Sequence, residues 1–406
     1  FLMIRPPPRS TLSSSSAASD VYKRQDSGDA ENQTTGISLS KLFLPTGTNL
    51  SASYDITNTP LSPNGSSAFH AHISQPLARN AFGYADRMLA EIQNYAIETA
   101  EYQAVETYEE YFAYITKLYF TWYSNYAALR TAETALKESN NLISNIREKR
   151  KSEIARDIDV NKAKLQNISR KENLLRIKQQ YSESEKLIKL AMRTEKKITP
   201  SDPGIYNHSR IPAEIDSKEI FDRSRTGRIL ELLVRKAGIS EARALNNLLP
   251  AVDITAGYRA DGAGNFLHSP AKHTYYAGFR VDFPVPLAGR QHAEFKTAEL
   301  EKYKSEIESE QNKLSLISSL SSLHSRIQTE KEIAELAKEK LQTARDILKE
   351  ERLYYNRARS SFNDLISAIN SVEDAQFAEI TARINLNNSI LDFMRLSDTL
   401  VKEIEY

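Results

Sequence analysis

Three pairs of segments in this 406-residue chain resemble one another in the same order and at nearly the same offset. LFLPTGTNLSASYD at 42–55 resembles NLLPAVDITAGYRAD at 247–261, each placing Leu-Pro before an alternating strand that ends on an aromatic. ISQPLARNAFGYADRML at 73–89 resembles FPVPLAGRQHAEFKTAEL at 283–300, sharing Pro-Leu-Ala and then a helix. ARDIDVNKAKLQ at 155–166 lines up with SSFNDLISAINS at 360–371, pairing Asp159-Val160 with Asp364-Leu365. The offset is about 205–210 residues each time, and three matches in order mark an internal duplication.

Each repeat reads strand, loop, strand, very long helix, turn, returning helix. The step from strand to helix is abrupt. Phe279, Val281 and Phe283 alternate with Arg280 and Asp282, Pro284 and Pro286 end the strand, and a helical period follows at Ala293, Phe295, Ala298 and Leu300. No proline follows Pro286, so a helix is expected from about Gln291 to about Asn356. At 1.5 Å per residue it would be roughly 100 Å long. Leu316, Leu320, Leu323, Ile327, Ala334, Ala337, Leu341, Ala344 and Leu348 follow the alternating three- and four-residue steps of a coiled-coil seam. A second stripe with Ile333, Leu336 and Ile347 predicts neighbours on two sides.

The expected organisation follows. Residues 1–25 are Ser/Pro-rich, lack periodicity and read like translated sequencing adapter, so they are set aside from the fold, and a native N-terminus with any signal peptide is expected to have been lost with them. A first strand pair occupies 26–78 and a first long helical hairpin 79–193. The Pro-rich linker 194–215 precedes a helix at 216–247. A second strand pair at 248–288 and a second hairpin at 289–406 complete the chain.

Four strands alternate. Leu50, Ala52, Tyr54 and Ile56 oppose Asn49, Ser51, Ser53 and Asp55; Phe69, Ala71 and Ile73 oppose His70, His72 and Ser74. Val252, Ile254, Ala256 and Tyr258 oppose Asp253, Thr255 and Arg259; Tyr275, Ala277, Phe279, Val281 and Phe283 oppose Tyr276, Arg280 and Asp282. A small sheet packed on a soluble core alternates in this way, and so does a membrane barrel wall with a lipid face and a lumen face. A mean hydropathy of −0.51 and the lack of any long apolar run exclude a transmembrane helix and leave a barrel open. Four strands cannot close a barrel, for which about eight is the practical minimum, so a spanning sheet would have to be shared among copies. A net charge of +1 gives no global field for nucleic acid, and zero cysteines exclude disulfides and thiol chemistry.

With these features the chain resembles the TolC-like outer membrane efflux proteins from about residue 36 to its end. The marks are Leu44-Pro45 and Leu249-Pro250 before the strands, Pro76-Leu77 and Pro286-Leu287-Ala288-Gly289 at the strand-to-helix exits, and the hairpin tips before Asp159-Val160 and Asp364-Leu365. The resemblance implies a mainly α fold with a small β part. Long antiparallel coiled-coil hairpins would form an α-barrel, and four strands per chain would join a trimeric 12-stranded β-barrel. It implies an outer-membrane location with the helical part in the periplasm, a homotrimer, a periplasmic adaptor (membrane fusion) protein and an inner-membrane transporter as partners, and contact with outer-membrane lipid. The function implied is a passive exit duct of a tripartite efflux pump or type I secretion system, opened at its periplasmic tip. Lumen-facing positions would be Asp55, His70, His72, Asp253, Arg259, Arg280 and Asp282. The tip and adaptor contact would draw on Glu153, Asp159, Arg357, Ala358, Arg359 and Asp364. Members of the family usually carry Gly at the tip, six residues before the Asp; Glu153 and Ala358 stand there instead.

No enzyme motif appears: there is no Gly-rich phosphate loop after a strand and no Gly-x-Ser-x-Gly. No cofactor, metal or nucleic acid is expected. His70 and His72 share a strand face as metal ligands would, yet two ligands without a carboxylate make a poor site, and polar lumen positions explain them. His208, His268, His273, His292 and His324 are scattered. The aromatic run TYEEYFAYITKLYFTWYSNY at 107–126 fits packing within a helical wall better than a membrane belt. IREKRKSE at the first tip reads equally as solvated helix surface and as part of an entrance lock. The competing reading of the whole chain is a soluble periplasmic helical-hairpin scaffold whose small sheet is a docking platform.

Overall fold

A computed structural model describes residues 19–20, 23–24, 33–59, 62–153, 155–206, 211–212, 214–264, 272–283, 289–357 and 359–401. Most of the segment 1–25, the exit residues 284–288, His208, His268 and Ala358 lie outside the described residues. The chain divides into two compact units, 1–99 with 231–309, and 100–230 with 310–406.

The first unit holds an antiparallel sheet. Two fragments, β1 (Ser19–Asp20) and β2 (Lys23–Arg24), pair with β3 (Gln33–Phe43). From there the order runs β3, β4 (Thr48–Thr59), β5 (Ser62–Pro76), β6 (Ala251–Ala263), β7 (Lys272–Asp282). The four expected strands are present as β4 to β7, and β3, which the alternation did not mark, pairs beside β4 as a further strand. Leu44-Pro45 closes a turn between β3 and β4, in which Gly47, at φ 68, donates its N–H to the Phe43 carbonyl at 2.7 Å. In the second repeat the same dipeptide follows a helix. The segment set aside as foreign also supplies β1 and β2, because an open ladder accepts whatever extended chain reaches it.

Both repeats turn from strand to helix through a left-handed residue, Asn80 at φ 61 and Gly289 at φ 59. The Asn80 side-chain oxygen accepts the N–H groups of Ala85 (2.8 Å) and Asp86 (3.1 Å), which satisfies free donors at the start of α1 (Tyr84–Lys151). Gly47 and Gly83 meet here backbone to backbone: a Cβ on Gly47 would lie 2.6 Å from the Gly83 nitrogen, and Gly83 is itself at φ 72. Only glycine tolerates both the approach and the dihedral.

The remaining helices are α2 (Asp157–Ala191), α3 (Ser217–Arg223), α4 (Arg225–Asn246), α5 (Arg290–Asn356) and α6 (Phe362–Leu396). The single helix expected over 216–247 is two. Ser224 is extended (ψ 149) and its hydroxyl accepts the Gly227 N–H at 2.9 Å, so it ends α3 and caps α4. The expected seam on α5 is buried at Leu320, Ile327, Ala337, Leu341, Ala344 and Leu348. In the second unit Leu320 and Ile327 pack with Leu386, Ile390, Phe393 and Met394 of α6. The second stripe lies open: Leu336 is 64 % exposed and Ile347 52 %. The aromatic run splits, with Phe120, Trp122 and Tyr123 in the core and Tyr108, Tyr111, Phe112 and Tyr114 outside.

The linker is strapped to this unit by side chains. Asn387, fully buried, accepts the Tyr206 N–H at 3.0 Å and donates to the Gly204 carbonyl at 2.9 Å. Arg383 pairs with Asp202 at 2.8 Å, and the Tyr119 hydroxyl donates to the Ser201 carbonyl at 2.7 Å. Burial would raise the Asp202 carboxyl, but the Gly204 N–H, Tyr123 and Arg383 together hold it below the ordinary carboxylate value. Replacing Asn387 by Leu strands two backbone groups, and melting followed by circular dichroism should show a loss of roughly 2–4 kcal/mol.

Candidate channel surface and hairpin tips

Register decides which strand residues share a face. Leu39, Ala52, Ala71, Tyr258 and Tyr275 form one cross-strand row, and Lys41, Leu50, Ile73, Ala256 and Ala277 form the next on the same face. The opposite face carries Ser38, Ser53, His70, Arg259 and Thr274 in one row and Ser40, Ser51, His72, Gly257 and Tyr276 in the next. Asp55 and Asp261 lie one row further along, while Asp253 and Arg280 are direct partners. All seven candidate lumen residues, Asp55, His70, His72, Asp253, Arg259, Arg280 and Asp282, therefore fall on one face of the sheet.

That face has its own contacts. His72 Nδ1 hydrogen-bonds the Tyr276 hydroxyl at 3.0 Å, and the rings stack with centroids 6.1 Å apart. Gly257 lies between them in the row, and a Cβ there would meet the Tyr276 ring at 2.3 Å. The missing side chain is thus the slot through which Tyr276 reaches His72. Arg259 pairs with Asp261 at 2.8 Å along the same strand. The opposite face leaves Phe279 76 % exposed and Tyr275 79 % exposed.

At the hairpin tips the duplicated aspartates have the same local task. Asp159 accepts the Arg156 backbone N–H at 3.2 Å, and Asp364 accepts that of Ser361 at 3.2 Å, so each closes a capping box at the start of its helix. Asp159 is buried and Asp364 exposed. Glu153 occupies the place where the resemblance implies Gly, and it takes glycine's conformation, with φ 58. Its N–H donates to the Arg150 carbonyl at 3.0 Å, ending α1 in a left-handed cap. Glu153, Arg357 and Arg359 are exposed.

Sequence spacing did not expose the ties around these residues. Arg150 forks onto Asp157 at 2.6 and 3.0 Å across the first tip, and this bond holds the Asp157 carboxyl below its ordinary value. Between the hairpins, Lys162 donates to Asn363 at 3.0 Å, Gln166 to Asn370 at 2.7 Å, and Arg170 pairs with Glu373 at 2.9 Å. Burial pushes the Glu373 carboxyl up against the pull of Arg170. The tip core beneath them is Ile146, Ala163 and Phe362.

Two replacements test this geometry. Gly257→Ala should displace Tyr276 and shift the His72 Nδ1 resonance in a 15N-histidine spectrum, whereas Gly278→Ala, with nothing within 4 Å of its Cβ, should leave that resonance in place. Glu153→Gly should relieve the left-handed conformation and stabilise the protein by roughly 0.5–1 kcal/mol in thermal unfolding.

Comparison with known proteins agrees with this architecture. The family model described as Outer membrane efflux protein matches residues 229–396. No curated protein matches the chain in sequence. Among solved structures, CusC superposes with a TM-score of 0.72 at 14 % identity, covering 91 % of this chain and 83 % of its own. VceC of Vibrio cholerae gives 0.71 at 13 % identity over 91 % and 87 %, and the MtrE outer membrane channel of Neisseria gonorrhoeae gives 0.71 at 16 % over 88 % and 81 %. Such identities establish a shared fold, mostly helical with one small antiparallel sheet. The chain thus shares the fold of these channels, and its residues 229–396 match the outer membrane efflux protein family.

Proposed function

We propose that three copies of this chain form a passive exit duct through the outer membrane, serving a tripartite efflux pump or a type I secretion system. The sheet carries this reading. It has one apolar and one charged face, and it ends on β7, all eleven residues of which are exposed. An unpaired strand edge cannot stand in lipid, where no water satisfies its backbone groups. Four strands, β4 to β7, are too few to close; three copies supply twelve. The apolar face then meets lipid. Asp55, His70, His72, Asp253, Arg259, Arg280 and Asp282 line a water-filled lumen, and solutes cross without chemistry at any residue.

Closure makes a demand on β3. For β4 to receive β7 of the next copy, β3 must give up its ladder from Phe43↔Thr48 to Gln33↔Asn58. The helices present matching unpartnered faces. On α2, Ile158, Leu165, Ile168 and Leu175 recur at heptad spacing and are all more than half exposed. On α5, Leu336 and Ile347 are open likewise. These faces pack copy against copy in the periplasm, and the tips meet an adaptor and an inner-membrane transporter. Opening follows when a partner binds the splayed hairpins more tightly than the closed ones.

Purified protein should run as a heat-modifiable trimer and conduct in planar bilayers; a detergent-independent soluble monomer without conductance would overturn the proposal in favour of a scaffold. Arg170→Ala, which cuts the tie to Glu373, should raise leak conductance several-fold. A Ser38→Cys/Ser53→Cys disulfide, joining register partners of β3 and β4 in a chain without other cysteines, should block trimer formation until it is reduced.

A further inference from the structure

A densely charged interior lies within the second unit, around Arg225. Arg225, at the start of α4, is 7 % exposed at its side chain and sits among three carboxylates. Its Nε donates to Glu106 at 3.0 Å, its Nη2 donates to Glu109, and Nη2 lies 3.1 Å from Asp398. Its backbone N–H donates to the other Asp398 oxygen at 2.5 Å. Glu109, fully buried, also accepts the N–H groups of Leu400 and Val401 at 3.1 Å each. The three carboxylates lie within 4.8 Å of one another, close enough to share a cation, and the cation they share is this guanidinium.

We propose that this cluster is a proton-dependent clasp that fastens the turn 397–401 to α1 and to the start of α4. The charge count supplies the reason. Three ionised carboxylates around one guanidinium leave two negative charges in a largely buried site, where like charges repel more strongly than in water. One bound proton removes half of that excess. The three carboxylates hold that proton between them: burial, with Glu106 and Glu109 adding to it against Arg225, raises the Asp398 carboxyl to about 7. Burial likewise raises Glu109, which Arg225 and its two backbone donors oppose. The charged groups facing Asp398 are Glu106 and Glu109 from α1 and Arg225 from α4. Further along α1, Lys117 is taken up by Asp392 of α6 at 2.6 Å.

The direction of the pH effect follows from these assignments. A carboxyl whose folded value lies above its unfolded one binds its proton more tightly when folded, so stability falls as pH rises between the two. The clasp is closed in mild acid and loosens as pH rises towards about 7, above which no further loss follows. Asp398 is also left-handed, at φ 55, a conformation that Asp and Asn adopt more readily than most residues other than glycine.

The absence of native cysteines allows a direct test. A single Val401→Cys variant carrying a nitroxide should give an immobilised spectrum at pH 5.5 and a mobile one at pH 8.5, with the change setting in below about 7 and levelling off above it. Adding Asp398→Asn, which keeps an acceptor and is tolerated in the left-handed region, should hold the label immobile across that range. Adding Arg225→Met should leave it mobile throughout, and circular dichroism should establish that the helices remain. Label mobility independent of pH, or an unchanged pH profile in Asp398→Asn, would overturn the proposal.

Discussion

Backbone hydrogen bonding at a strand edge is the constraint on which this chain depends. Among the described residues, β4, β5 and β6 are paired on both sides, while β7 is paired on one side only. In water such an edge invites association, and in a bilayer it is forbidden. On the other side of the sheet, β3 supplies β4 with an eleven-residue ladder. Its outward side chains do not form an apolar wall like that of β7: Ile37 and Leu39 are exposed, but Lys41 follows them. The isolated chain thus satisfies β4 with its own segment and leaves β7 unsatisfied.

Side-chain size at a few positions converts that sheet into a surface with direction. Gly257 opens the slot for Tyr276, and Gly36 stands opposite Asp55, where a Cβ would lie 2.1 Å from the carboxylate oxygen. Small residues on the charged face let longer polar neighbours lie across the sheet, so its contour is set by pairs such as His72 with Tyr276. On the helical side the same selectivity comes from buried polar groups. Asn387 has both its carbonyl oxygen and its amide nitrogen bonded to linker backbone, which fixes where the linker crosses α6. An apolar residue would fill the space but leave both backbone groups unpaired and fix no position.

Local pattern carried much of this into the sequence. Period-two alternation marked β4 to β7 and divided their faces, and the heptad seam of α5 identified its buried side. The duplication located both hairpin tips. What stayed hidden was either a local conformation that another motif disguised or a contact across long separations. Leu44-Pro45 looked like the start of a strand because Leu249-Pro250 is one, while β3 precedes it in the structure. The break at Ser224 was masked by apolar residues that keep helical period on both sides. Arg225 meets residues 119 and 116 positions away, and Glu109 meets Val401 across 292. No spacing rule reaches such pairs. The left-handed Glu153 is a different case: the resemblance called for Gly there, and the backbone kept glycine's dihedral without glycine.

The duplication also bears on how copies would join. Within the chain, the second strand of repeat one, β5, pairs antiparallel with the first strand of repeat two, β6, from Ser66↔Ala263 to Pro76↔Asp253. The joint that would be missing between copies has the same grammar: the second strand of repeat two, β7, against the first strand of repeat one, β4. The antiparallel geometry of the β5–β6 joint would serve a β7–β4 joint as well, once β3 has left β4. The two surfaces involved are different, so such a contact would be head-to-tail, and a head-to-tail contact must either close into a ring or run on as a filament. The right-handed twist of strands carries each added chain further around the same axis, and a barrel is the closed outcome. On this reading the ring is the duplication continued between chains.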